Sequence, residues 1–375
     1  MRNGMGLALA GLAALAVAMG IGRFAFTPLL PMMQQDAGLS VAAGGWLASA
    51  NYAGYLVGAL WAGAMRVNAT TAIRAALATI GFATLAMALD AGLEAWALLR
   101  FVAGVGSAWV MVQTSALVLA RLAPLGQPIL PGVLYTGVGT GVTLAGILCV
   151  LLMALGATSS TAWVVLGVAS LAITAALWSA FESSSAENAR PAAPPPWTWE
   201  QARMVIAYGA YGFGYIIPAT FLPVMAREVV SDPAVFGWAW PMYGAAAMLS
   251  TLGVAHFAGH YSNRAVSIAC HFVMALGVAA PVIWPGIGGI VVSAIFVGGT
   301  FVVFTLVGLQ DARGVAGAAA PRLMAAMTAA FAFGQIVGPL AVSYLVSAGG
   351  SIATALLAAC AMLVAGALLL IFWRY

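Results

Sequence analysis

The sequence is a succession of long apolar runs. Twelve of them are each long enough to cross about 30 Å of hydrocarbon, a thickness that takes roughly 20 helical residues. They lie near 6–33, 40–65, 71–90, 95–121, 129–153, 161–181, 203–227, 234–258, 266–284, 287–309, 321–347 and 350–373. Membrane β-strands are only about 10 residues long and alternate strictly in hydropathy. These runs are longer and rich in Ala, Leu and Gly, which predicts an all-α polytopic membrane protein. The first run continues through Leu30, past the apolar core of a cleaved signal, and is read as a span.

Composition closes the other routes. Hydrophobic residues make up 64% of the 375 residues and charged residues 6%, where soluble proteins carry about 25% charge. Thirteen basic and nine acidic side chains cannot cover a water-soluble fold of this size. Soluble enzyme, nucleic-acid binder, disordered chain and disulfide scaffold are excluded. Cys149, Cys270 and Cys360 lie in separate apolar runs and read as small hydrophobes. No cofactor or metal is expected, and the bilayer is the first partner.

The basic residues are all Arg, and their placement orients the chain. With the N-terminus in the cytoplasm, Arg2, Arg66, Arg74, Arg121, Arg190, Arg203, Arg264, Arg313, Arg322 and Arg374 fall at inner ends or loops. Arg227 alone falls at an outer end, with Asp36, Asp90, Glu94, Glu228 and Asp232 around it. The positive-inside rule then puts both termini in the cytoplasm, and an inner-membrane location follows for a bacterial chain. The longest polar segment, 182–202, is rich in Ser, Ala and Pro and reads as a cytoplasmic linker. It divides the chain into six-helix bundles at 1–181 and 203–375.

The two bundles repeat one another. GIGRFAFTPLLPMMQQD (20–36) aligns with GFGYIIPATFLPVMARE (212–228) at a constant offset of 192. Gly20 meets Gly212, Gly22 meets Gly214, Pro31 meets Pro223 and Asp36 meets Glu228, and Gly45-Trp46 continues onto Gly237-Trp238. Gly137 and Gly141 echo Gly334 and Gly338 at offset 197. Parallel six-span repeats of this kind build transporters whose site lies at the midplane between the halves.

On these residues the whole chain resembles the major facilitator superfamily. The GIGRFAFTPLLP run of 20–31 is most similar to the bacterial branch labelled YbfB/YjiJ-type, and LLRFVAGVG (98–106) resembles the superfamily's span-four motif. The resemblance implies spans one, four, seven and ten around a central cavity that opens alternately to either side. GALWAGAMRVNA (58–69) keeps Gly58, Gly63 and Arg66 of the loop motif between spans two and three but lacks its acid. GVGTG (137–141) lacks the proline of the antiporter motif, while GQIVGP (334–339) puts Gly338-Pro339 on span eleven.

Ionisable groups inside spans are costly and point to function. Arg23 lies about 5 Å and Arg100 about 12 Å to the outer side of the midplane, at 1.5 Å per helical residue. Arg23 leans toward the midplane and Arg100 away from it. A guanidinium suits a carboxylate, phosphate or sulfate and keeps its proton when buried. The structural alternative is a guanidinium spent on helix carbonyls, and it weighs more heavily for Arg100. No Asp or Glu lies in the middle of any span. A buried Arg normally pairs with a carboxylate, so the substrate is expected to supply the anion.

Neutral groups complete the expected site. Tyr215 matches Arg23 by the repeat, Tyr211 lies one turn before it, and Thr27 one turn after Arg23. Asn51 and Tyr55 share a face of span two, with Tyr243 on span eight and Gln335 on span eleven. Each serves interhelical hydrogen bonding equally well. Pro31, Pro223 and Pro339 mark bends, and Gly137, Gly141, Gly334 and Gly338 mark close packing or gating. His256 and His271, near inner ends, are candidates for proton coupling, with interfacial packing the plainer reading; His260 lies in the loop between them.

The function expected is a secondary transporter of a small, carboxylate-like anion, with proton coupling, working as a monomer. The alternative in the same fold is a proton-driven exporter of drugs or metabolites. An enzyme is not expected: no H-E-x-x-H or clustered nucleophile and base lies in the spans, and without Lys no P-loop exists.

Overall fold

The structure is a computed structural model that describes residues 4–64, 67–127, 129–181, 197–256, 261–317 and 320–372. Among the described residues every regular element is helical. Twelve long helices follow in order: α1 (Gly4–Asp36), α2 (Val41–Ala64), α3 (Ala69–Ala86), α4 (Gly92–Leu122), α5 (Ile129–Ala154) and α6 (Ser159–Leu177). After 182–196, outside the described residues, come α7 (Trp199–Val229), α8 (Ala239–His256), α9 (Asn263–Ile283), α10 (Ile287–Ala316), α11 (Ala320–Ser347) and α12 (Ile352–Ile371). Ten are long and apolar enough to cross a membrane. The other two, α2 and α8, are matching helices of the repeat, both diluted by Gly, Trp, Tyr and Ser.

Packing reproduces the internal repeat. α2 lies on α4, α3 on α4 and α6, and α1 on α5. Six helices later, α8 lies on α10, α9 on α10 and α12, and α7 on α11. Across the two sets, α2 meets α11, α5 meets α8 and α1 meets α7. The apolar window of α7 is 78% buried and that of α12 only 33%, so α7 is central and α12 peripheral.

Glycines set the closest approaches. A Cβ on Gly104 would lie 2.1 Å from the Asn51 carbonyl oxygen, and one on Gly54 2.0 Å from that of Phe101. The Gly-rich stretch after Arg100 therefore lets α2 and α4 touch backbone to backbone.

Some boundaries differ from the hydropathy reading. α7 begins at Trp199, inside the expected linker, because Thr198 and Gln201 form a capping box. α10 continues to Ala316, past the expected end at 309, and stops at Gly317 with φ of 51°. Polar Gln310, Asp311 and Arg313 end the apolar run but not the helix. Of the expected inner-end Arg, Arg2, Arg66, Arg190 and Arg374 lie outside the described residues, as does His260.

Candidate functional site

The site begins with an irregularity in α1. Over Ala16–Phe24 the helix widens into π-helical turns. Such turns cluster at functional sites, and Gly20 and Gly22 let neighbouring helices approach here, since a Cβ on either would collide with Gly141 or Ser107. The widened segment is fastened from α2 and α4. Arg100 donates from Nη2 to the Arg23 carbonyl at 2.7 Å and from Nη1 to the Gly22 carbonyl at 3.3 Å. Asn51 Nδ2 donates to Gly22 O (3.1 Å) and Arg100 O (2.8 Å), and Ser107 Oγ to Ala18 O (2.8 Å).

Arg100 was expected to lean outward, away from Arg23. Instead its long side chain reaches the backbone of Arg23 itself, closing the offset between the two helices. Its two terminal nitrogens are spent on carbonyls, and its ring neighbour is Phe26 at 5.0 Å.

Arg23 is 3% exposed. Its Nη2 donates to the amide oxygen of Gln335 on α11, and its Nε has no hydrogen-bond partner. Gln335 Nε2 in turn donates to the Tyr215 hydroxyl on α7. The guanidinium carbon lies 4.1 Å from the Tyr55 ring centre, 5.1 Å from Phe24 and 5.2 Å from Tyr52. Three ring faces partly offset a buried cation. Among the described residues no carboxylate pairs with it; the ion pair Arg203–Glu200 (3.3 Å) lies elsewhere, at the start of α7.

A layer of rings continues from Arg23 into the second helix set. Tyr215 and Phe301 stack at 5.5 Å and 3°, Phe301 and Tyr243 at 5.3 Å and 29°, and Tyr243 and Trp240 at 4.7 Å and 14°. Phe24, beside Arg23, closes on Trp240 (6.2 Å) and Phe301 (6.0 Å). The Tyr243 hydroxyl and Trp240 Nε1 are buried without partners.

Arg23 sits on the seam between the helix sets. Thr27 Oγ1 donates to the carbonyl of its own repeat counterpart, Ala219, at 2.9 Å. Ser49 Oγ donates to Ile336 O (2.9 Å), Ser343 Oγ to Ala42 O (2.9 Å) and Arg227 Nη1 to Pro31 O (2.8 Å). Tyr52 OH and Thr220 Oγ1 are 3.2 Å apart. These bonds lie toward the end of the bundle where α1, α7 and α11 finish, and they hold that end closed.

Comparison with protein families matches residues 15–371 to the family described as "Uncharacterised MFS-type transporter YbfB". The chain belongs to this family. It is therefore a major facilitator transporter, a multi-pass membrane protein. No curated protein matches the chain. Among solved structures it is similar to a crystal structure of a mutant of the nucleoside transporter NupG, with a TM-score of 0.74, 15% identity and 98% of each chain covered. That likeness shows a shared fold.

In this YbfB-type transporter the expected site residues divide into groups. Arg23, Tyr55, Gln335 and Tyr215 meet directly, and Tyr243 joins them through Phe301. Thr27 lies in the seam, and Asn51 and Arg100 support α1. Tyr211 lies deeper in the second set, stacked on Phe304 at 3.7 Å. His271 stands edge-on to Tyr211 and Phe304, with Nδ1 2.9 Å from Ser267 O. His256 is exposed at the end of α8.

The expected packing residues line the matching pairs α1–α5 and α7–α11. A Cβ on Gly137 would lie 2.2 Å from Leu12 O, and one on Gly141 2.4 Å from Ala16 O. One on Gly334 would lie 2.4 Å from Gly209 O, and one on Gly338 2.4 Å from the Ile216 side chain. Pro31, Pro223 and Pro339 lie within their helices, but the irregular stretch of α1 is upstream of Pro31, at the glycines. Sequence reading missed Phe24, Tyr52, Trp240 and Phe301. Tyr52 and Tyr55 are three apart on α2, a spacing that was legible; Phe301 gave no signal within an apolar run.

Proposed function

We propose that this protein is a secondary active transporter of a small organic anion, working by alternating access between bundles at 1–181 and 203–375. Both termini face the cytoplasm of a bacterial cell, and the transporter acts as a monomer in the inner membrane. The single observation that carries the anionic cargo is Arg23. It is a buried cation on the seam, ringed by aromatic faces and held by a neutral amide, with no carboxylate paired to it among the described residues. A carboxylate entering the seam completes that pairing with a charge-assisted hydrogen bond. Arg23, Tyr55, Tyr215 and Tyr243 are the binding residues, Gln335 holds the Arg23 guanidinium in the closed seam, and Arg100 and Asn51 position Arg23. Co-transport of one proton makes the movement of a monoanion electroneutral.

The test is uptake by proteoliposomes of the purified protein, across a panel of labelled carboxylates, sulfonates, cations and nucleosides. Saturable uptake of a carboxylate, accelerated by an inward proton gradient and indifferent to membrane potential, is the expected result. A second reading is an uncharged ring compound, supported by the ring layer beside Arg23 and by a structural relative described as a nucleoside transporter. Uptake of a nucleoside that Arg23→Gln leaves intact would favour it and remove the anion.

A further inference from the structure

Resting on the anion reading above, we propose that the cargo is a planar aromatic monocarboxylate, with its carboxylate on Arg23 and its ring in the aromatic layer of α7, α8 and α10. In the closed seam the protein's own side chains fill both places. The Gln335 amide oxygen occupies the guanidinium of Arg23. The Phe24 ring, the next residue on α1, covers Trp240 and Phe301. The amide oxygen and the ring both lie against the Arg23 guanidinium, the Phe24 ring centre 5.1 Å from its carbon.

When the helix sets separate, the faces that come free match such a cargo. One side offers the Arg23 fork with Tyr55 beneath it. The other offers Tyr215 and Phe301, parallel to within 3°, continued by Tyr243 and Trp240. Flat, nearly parallel ring faces accept a flat ring by offset stacking better than a puckered one. The Tyr243 hydroxyl and Trp240 Nε1, buried and without partners, are donors that a polar ring substituent would satisfy. One negative charge is the limit, because Arg100 is spent on the Gly22 and Arg23 carbonyls.

The experiment measures binding to the full chain in nanodiscs, by calorimetry and thermal shift, of three probes of similar size. Benzoate is planar and charged, cyclohexanecarboxylate is charged and puckered, and benzamide is planar and neutral. The expected result is a benzoate Kd at least tenfold below that of either other probe. Equal affinity for benzoate and cyclohexanecarboxylate overturns the aromatic inference and leaves the anion reading standing. Equal affinity for benzoate and benzamide overturns the anion reading and this proposal with it, and binding of none of the three overturns the proposal. In Phe301→Leu the benzoate Kd rises to that of cyclohexanecarboxylate; an unchanged benzoate preference in that variant also overturns it.

Discussion

Arg23 on α1 donates a hydrogen bond to the amide oxygen of Gln335 on α11, 312 positions further along the chain. The bond joins the two helix sets, so it must break when they separate. It is also a weak match for a cation, because an amide brings no charge. An incoming carboxylate and Gln335 therefore compete for one guanidinium, and the better acceptor for Arg23 is the one that opens the seam.

That competition predicts the outcome of Gln335→Met, which keeps the volume and removes the amide. A hydrogen bond to a charged group contributes about 1.5–3 kcal/mol net. With the competitor gone, the benzoate Kd falls about tenfold at the lower end of that range. The unliganded protein melts earlier, because a bond across the seam is lost. Calorimetry and a melting curve on the same sample check both signs. A weaker benzoate Kd would make Gln335 a ligand of the cargo rather than its stand-in.

Arg23→Gln removes the charge and keeps a polar side chain of similar reach. Carboxylate uptake by proteoliposomes falls by about 100-fold, the upper part of the range for a charged hydrogen bond. Arg23→Lys keeps the charge but loses the planar fork, and recovers little of the rate. Because Arg23 has no acidic partner among the described residues, neither variant strands a buried carboxylate, and both elute as folded protein at the wild-type volume. Wild-type uptake in Arg23→Gln would end the anion-site idea.

Arg100→Met separates positioning from binding. Asn51 still donates to the Gly22 carbonyl in this variant, but the Arg23 carbonyl loses its partner. Losing a hydrogen bond from a charged group costs about 1.5–3 kcal/mol, so the melting temperature of the ligand-free protein drops. Benzoate affinity weakens in step, and raising the ligand concentration restores uptake. Lost binding at an unchanged melting temperature would instead place Arg100 on the cargo.

His271→Gln addresses the proton. The imidazole is buried between α7 and α12: Nδ1 faces Ser267 O, and Nε2 lies 2.8 Å from where a Cβ on Gly366 would stand. Tyr211 and Phe304 face the ring edge-on, and among the described residues it makes no ion pair. A packed ring of this kind predicts a lower melting temperature and a pH dependence of uptake identical to wild type. A shifted pH profile would make His271 a proton-carrying residue.

The repeat at offset 192 was the most informative signal in the sequence. It aligns Thr27 with Ala219 and Arg23 with Tyr215, and the structure joins the first pair directly and the second through Gln335. A two-fold arrangement brings equivalent positions to the axis, which is why a pattern in one dimension found a contact in three. Arg100 was less legible, because hydropathy fixes depth along a helix but not where a long side chain reaches. The ring layer was illegible for a different reason. In a membrane protein aromatic residues are everywhere, and only the packing of α8 on α10 and α7 turns Trp240, Tyr243 and Phe301 into one surface.

Gly141→Ala tests whether the site depends on the close approach of α1 and α5. The added Cβ would lie 2.4 Å from the Ala16 carbonyl oxygen and 2.7 Å from its Cα, both backbone atoms that cannot swing aside. Ala16 opens the π-helical stretch that carries Arg23, so α1 must shift at that point. Overpacking of this kind costs about 1–3 kcal/mol. Gly6→Ala is the control: Gly6 is exposed on the same helix, and nothing lies within 4 Å of the new Cβ. By helix propensity alone the control gains up to about 1 kcal/mol. Melting temperatures in detergent should therefore move in opposite directions, and benzoate binding should weaken only in Gly141→Ala. Equal shifts in the two variants would show that the glycine contact does not hold the Arg23 segment in place.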